Sequence, residues 1–206
     1  SHNRGERLNE ADFVALLDFI LPMCFTPGPN NLLCAAHGSQ HGFRATIPLS
    51  LGMFAGWSLL GIAVGAGTVF IEENEDLFLG LTYIGAAYIA YLGWKVATSK
   101  PEAVDAEDTE RLGFLTGLTL QVVNGKAWIH FLVIMASWST LFGAGFGGKV
   151  ILVAVNGIFG YPAVLTWAAF GMGLSKIFST PEKARILNGA LGLSLILVAI
   201  WVALPH

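Results

Sequence analysis

Two short runs hold most of the chemistry this chain could offer inside its apolar stretches. The first is Thr26-Pro27-Gly28-Pro29-Asn30-Asn31; the second is Asn124-Gly125-Lys126, with Gln121 just ahead of it. Each interrupts a helix. Pro27 and Pro29 remove backbone donors and block helical pairing of earlier carbonyls. Gly28 lets the backbone approach a ligand closely or take a positive φ. Thr26, Asn30 and Asn31 are residue types that cap a resuming helix. A helix restarting at Pro29 offers a partly positive N-terminus to a carboxylate. The blander reading is a kink mended by neighbouring helices, but a run of specialised residues exceeds what one kink needs.

Lys126 is the only basic residue deep inside an apolar stretch. Burying a lysine at bilayer depth costs about 2.5–3.5 kcal/mol on insertion scales, so a functional role is the default. The alternatives are snorkelling, or a structural cation that holds carbonyls freed by the break. Asn124 and Gln121 either bridge polar groups across a site or mend the backbone. A zwitterion needs an anion site and a cation site, and both contacts are strong in a low-dielectric cavity. Lys126 and the helix restart supply the first. Freed carbonyls near Thr26 and Asn124, with Asp18 as a further candidate, supply the second.

Asp18 is the one carboxylate that falls within a candidate span. It is a candidate coupling group, or an ammonium partner, or a headgroup-level residue. His130, one turn past Lys126, reads as a hydrogen-bonded helix residue. Asn156, Tyr161 and Pro162 form a third polar irregularity, a candidate wall of the same pathway. No HExxH, GxSxG or CxxC pattern occurs, so an enzyme is not expected, nor a metal or other cofactor. Cys24 and Cys34 lie about 15 Å apart along a helix, beyond disulfide reach.

The elements that must position these residues are membrane helices. Hydrophobic residues make up 54% of the 206, charged residues 12%, and mean hydropathy is +0.65. Soluble domains carry about 25% charged residues, so the partner is a lipid bilayer. A net charge of -3 offers no basic face for nucleic acid. Six apolar stretches run over Phe13–Ala36, Ala45–Ile71, Leu77–Thr98, Leu112–Phe142, Val150–Phe178 and Ala184–Leu204. Each reaches the ~20 residues a crossing needs, and none shows the polar face of a soluble helix.

Lys and Arg set the orientation. One side carries Arg44, Lys95, Lys100, Arg111, Lys176, Lys183 and Arg185, the other Arg4, Arg7 and Lys149. The first side is placed in the cytoplasm and both termini outside. Three spans, a linker and three spans give halves of opposite polarity, the inverted-repeat layout of many secondary transporters. The expected fold is therefore an all-α integral membrane protein of six transmembrane helices in two inverted three-helix repeats, with broken first and fourth helices. Its parts are residues 1–10 (a tail partly derived from an expression vector), 11–98 (first repeat), 99–111 (acidic cytoplasmic linker) and 112–206 (second repeat). Each break lies about 20 Å into its span, from opposite faces, so both approach the midplane. Trp57, Trp94, Trp138 and Trp201 read as interfacial anchors. Gly52/Gly56, Gly61/Gly65 and Gly113/Gly117 are small-residue faces for close packing, and only weak support for a homodimer.

With these features on the page, the chain resembles the LysE family of amino-acid exporters, in its RhtB-type branch. The resemblance rests on residues 26–31, then His41-Gly42-Phe43-Arg44, Gly85-Ala86-Ala87-Tyr88-Ile89, Leu92-Gly93-Trp94-Lys95 and Asn124-x-Lys126, in order over nearly the whole chain. Within the family, 41–44, 94–99 and 120–124 look most like the cysteine/O-acetylserine exporters. The usual family pattern at the second break is Asn-Pro-Lys, and Gly125 replaces the proline here, a softer break. The resemblance implies proton-driven efflux of small amino acids or derivatives, of cysteine/O-acetylserine or homoserine/threonine type, across a bacterial inner membrane. A passive channel for zwitterionic solutes and an exporter of basic amino acids are the rival readings.

Overall fold

A computed structural model describes residues 9–99 and 110–204. Most of the N-terminal tail and of the acidic linker therefore lies outside the described residues. Eight helices and no strand occur among them: α1 (Glu10–Phe25), α2 (Pro29–His41), α3 (Phe43–Glu73), α4 (Glu75–Ala97), α5 (Phe114–Val122), α6 (Gly125–Trp138), α7 (Phe146–Ile177) and α8 (Pro181–Ala203). The two sequence breaks are the two sharp bends. α1 and α2 meet at 45°, and α5 and α6 at 62°. Segments of α3, α7 and α8 are each long and apolar enough to cross a bilayer; counting each bent pair as one more gives five.

Small residues bring the helices together. A Cβ on Gly171 would stand 1.9 Å from the Ala35 carbonyl oxygen, and one on Gly38 would stand 2.3 Å from that of Ala168, so α2 and α7 touch backbone to backbone. Gly52 against Phe114 and Gly117 against Leu49 do the same for α3 and α5, at 1.9 and 2.2 Å. Gly93 and Gly192 face each other's carbonyls across α4 and α8. Without a hydrophobic drive in lipid, such approach is how apolar helices gain packing energy. Gly52 and Gly56 are thus engaged within this chain, while Gly113 stands in open space as the α5 N-cap.

The apolar core has two parts. One gathers Leu32, Leu49, Met53, Ile89, Leu92, Val164 and Leu195; the other gathers Leu16, Ile20, Leu60, Phe131, Ile134 and Leu152. Trp94 and Trp201 are exposed near helix ends. Trp57 is not an anchor: its ring packs on His130 and Phe131 at centroid distances of 5.1 and 5.4 Å. Trp138 likewise packs on Phe19 at 5.7 Å. Lys95, at the end of α4, pairs with Glu110 and by hydrogen bond and charge holds that carboxyl below its usual range.

Candidate functional site

The bends survive because every orphaned carbonyl named here finds a donor. At the end of α1, the backbone N–H of Thr26 donates to Pro22 O at 2.9 Å, and the Thr26 hydroxyl donates to Met23 O at 3.2 Å. Asn31 Nδ2 donates to Cys24 O and Thr26 O at 2.7 and 2.8 Å. Trp167 Nε1 reaches Phe25 O at 3.0 Å. At the second break Trp128 Nε1 donates to Val122 O at 2.8 Å. Unwound backbone at membrane depth is tolerated only on such terms.

This changes the part expected of the asparagines. α2 does restart at Pro29, but its N-cap is Gly28 and no side chain caps it. Asn31 instead turns back to serve the carbonyls of the preceding helix. Asn31→Ala takes the side-chain donor from the Cys24 carbonyl, while that of Thr26 keeps Lys126, at about 1–3 kcal/mol. It should lower the melting temperature in detergent, and Asn31→Asp should do the same; an unchanged melt would show that water replaces the amide.

Gly28 has a φ of -167°, extended backbone open to any residue. Its role is close approach. A Cβ there would stand 2.9 Å from both Cδ and Nζ of Lys126, so a larger residue pushes that side chain aside. Lys126 crosses from the second break to the first and donates to Thr26 O and Thr26 Oγ1, both at 3.2 Å. It therefore does tie freed carbonyls, as a structural cation would, and also lines the cavity beside it. The Thr26 carbonyl is already taken, by Lys126 and Asn31, and so is not a vacant cation site.

A second tie joins the breaks. Asn30 Nδ2 donates to Gln121 Oε1 at 3.0 Å, and Gln121 Nε2 returns a bond to Asn30 Oδ1 at 2.9 Å. Gln121 also donates to Gly117 O, and Asn124 Nδ2 to Gln121 Oε1. The cavity between these residues and α7 measures about 520 Å³ with its open mouth. Gly28, Pro29, Asn30, Asn31, Asn124 and Lys126 line it, joined by Cys24, Trp57, Asn156, Gly160 and Tyr161. Thr26 and Pro27 are exposed, and Gln121 stands buried behind the lining. Asp18 is exposed on α1 and does not line the cavity.

His130 is buried and hydrogen-bonded, its Nε2 2.6 Å from Asn156 Oδ1. Tyr161 and Ser50 share a hydroxyl contact at 3.0 Å. Asn124 Oδ1, His130 Nδ1 and Asn156 Nδ2 are buried with no partner among the described residues. Two of the three belong to cavity-lining residues, which suits a polar ligand. Asn156 and Tyr161, read from sequence as a candidate wall, do line the cavity; Trp57 and Trp167 were hard to place, because their partners lie far off in the chain.

A sequence model of the LysE type translocators matches residues 21–205. The chain belongs to the LysE family. It is a multi-pass membrane translocator and not an enzyme. Relatives include a "Cysteine/O-acetylserine efflux protein" of Escherichia coli O157:H7, 31% identical over 194 residues, 91% of this chain and 95% of that protein. A protein of the same name from Klebsiella pneumoniae subsp. pneumoniae is 35% identical over 125 residues, 60% of this chain and 63% of that one. No solved structure matches. The match to this LysE-family model takes in both bends and the α7 wall of the cavity.

Proposed function

We propose that this protein is a secondary transporter exporting small amino acids or their derivatives, of cysteine/O-acetylserine or homoserine/threonine type, from the cytoplasm across a bacterial inner membrane, with proton coupling. The observation that carries the reading is Lys126 of one broken helix bonded to Thr26 of the other, beside a cavity with unpartnered amide groups. Substrate carboxylate binds the remaining N–H of Lys126 and the uncapped first turn of α2. Substrate ammonium binds Asn124 Oδ1. Gln121 and Asn30 hold the two breaks in register, and Asp18 is left as a surface candidate for coupling.

In this reading α4 is the sixth span; its 23 residues extend about 34 Å. α1–α2, α3 and α4 then form one repeat, within 11–98, and α5–α6, α7 and α8 its inverted counterpart, within 112–206. The acidic linker at 99–111 is cytoplasmic and both termini lie outside. Export proceeds by rocking of the two halves about the breaks.

Counterflow in proteoliposomes tests this with cysteine, O-acetylserine, homoserine, threonine, lysine and arginine. Labelled small neutral amino acids should accumulate transiently against unlabelled solute, and uphill movement should collapse with a protonophore. Preference for lysine and arginine would favour a basic-amino-acid exporter. Downhill flux without counterflow or uphill movement would mark a channel.

A further inference from the structure

We infer that the α7 wall of the cavity is the subsite for the substrate's side chain, where Asn156, oriented by His130, selects short side chains that carry a hydrogen-bond acceptor. This rests on the export reading and names what that reading leaves open. Asn156 is 1% exposed and His130 0%. His130 Nε2 stands 2.6 Å from Asn156 Oδ1; in this arrangement the ring donates from Nε2 and the amide's Nδ2 is directed away from it. His130 is itself fixed among rings, stacked on Phe19 at 5.4 Å and against Trp57 and Phe131 at 5.1 and 5.3 Å. The amide's Nδ2 is then a buried donor with no acceptor among the described residues. Native structures rarely leave such a group alone.

Asn156 lines the cavity, and its Nδ2 lies 4.0 Å from where a Cβ on Gly160 would stand, with Cys24 Sγ 2.9 Å from the same point. Gly157 completes the wall, with a Cβ there meeting the Phe54 ring at 2.8 Å. Two glycines and a thiol backed by an aromatic ring make a shallow subsite with one fixed donor. The carboxylate and ammonium have their groups at Lys126, α2 and Asn124, so what remains for Asn156 is the side chain. A hydroxyl or ester oxygen satisfies the donor; a methyl of equal size strands it. Sites built around such a donor discriminate by leaving it unpaired.

The test is competition in proteoliposomes between homoserine and norvaline, in which a methyl replaces the hydroxyl. Wild type should favour homoserine about tenfold through KM. Asn156→Ala should bring that ratio to about one. His130→Gln keeps an N–H near the Nε2 position and should retain the preference, while His130→Phe should lose it. Should Asn156→Ala fail to fold, the two His130 variants carry the comparison. An unaltered ratio in Asn156→Ala, or a selective His130→Phe, overturns the assignment. Wild type that moves both solutes equally overturns it too, with export intact; wild type that moves neither of these, nor cysteine or O-acetylserine, removes the export reading itself.

Discussion

Lys126→Ala should abolish export, by at least about a hundredfold, in a protein that still purifies folded. A carboxylate bound in a low-dielectric cavity and stripped of its cation loses about 3–5 kcal/mol, and each 1.4 kcal/mol is a factor of ten. Folding should suffer less. The Thr26 carbonyl that Lys126 holds keeps a second donor, Asn31 Nδ2 at 2.8 Å, and the Asn30–Gln121 pair still spans the breaks. Lys126→Met sharpens the point, since it keeps an apolar stem against Gly28 and removes the ammonium with its bonds to Thr26. Thr26→Val removes one of the two oxygens bound to Nζ and leaves the other, so it should cost only a few-fold. Counterflow rates beside detergent melts give the comparison. Lys126→Ala that still exports would strip the residue of its role, whereas loss of fold with loss of transport would make it a structural clamp alone.

The positions of the breaks were legible because proline and glycine act on the backbone of their own segment. Pro29 opens α2 as its fixed φ predicts, and Gly125 opens α6 without a proline, yet with the larger bend. What the asparagines do was not legible. Asn31 next to a break could serve the helix ahead or the helix behind, and only the fold decides that it serves Cys24 and Thr26. Trp57 shows the same gap. A tryptophan near a span end fits an interfacial anchor, and its actual place over His130 follows from α3 crossing α6. The glycine pairs marked α3 and α5 as helices for close packing, but neither their partners nor the approaches of α2 to α7 and α4 to α8. Gly117 could not be matched to Leu49, or Gly171 to Ala35, without the crossings themselves.

Gly85→Ala should be the most damaging single methyl in the chain outside the cavity. Its Cβ would stand 1.6 Å from the Val123 carbonyl oxygen, where no rotamer offers escape because the obstacle is backbone. Val123 is the C-cap of α5, one residue before Asn124. Either α4 backs away from the bend, or the bend shifts and carries Asn124 and its bond to Gln121 with it. Overpacking of this kind costs about 1–3 kcal/mol. The expected result is a lower melting temperature together with at least about a tenfold loss of export. Gly80→Ala is the control on the same helix: a Cβ there meets nothing within 4 Å among the described residues, and alanine favours the helix by about 1 kcal/mol. That variant should export normally and melt no lower than wild type. The contrast separates crowding at the bend from any general dependence on glycine in α4. If Gly85→Ala behaved as Gly80→Ala does, the contact with Val123 would not be what fixes the second break.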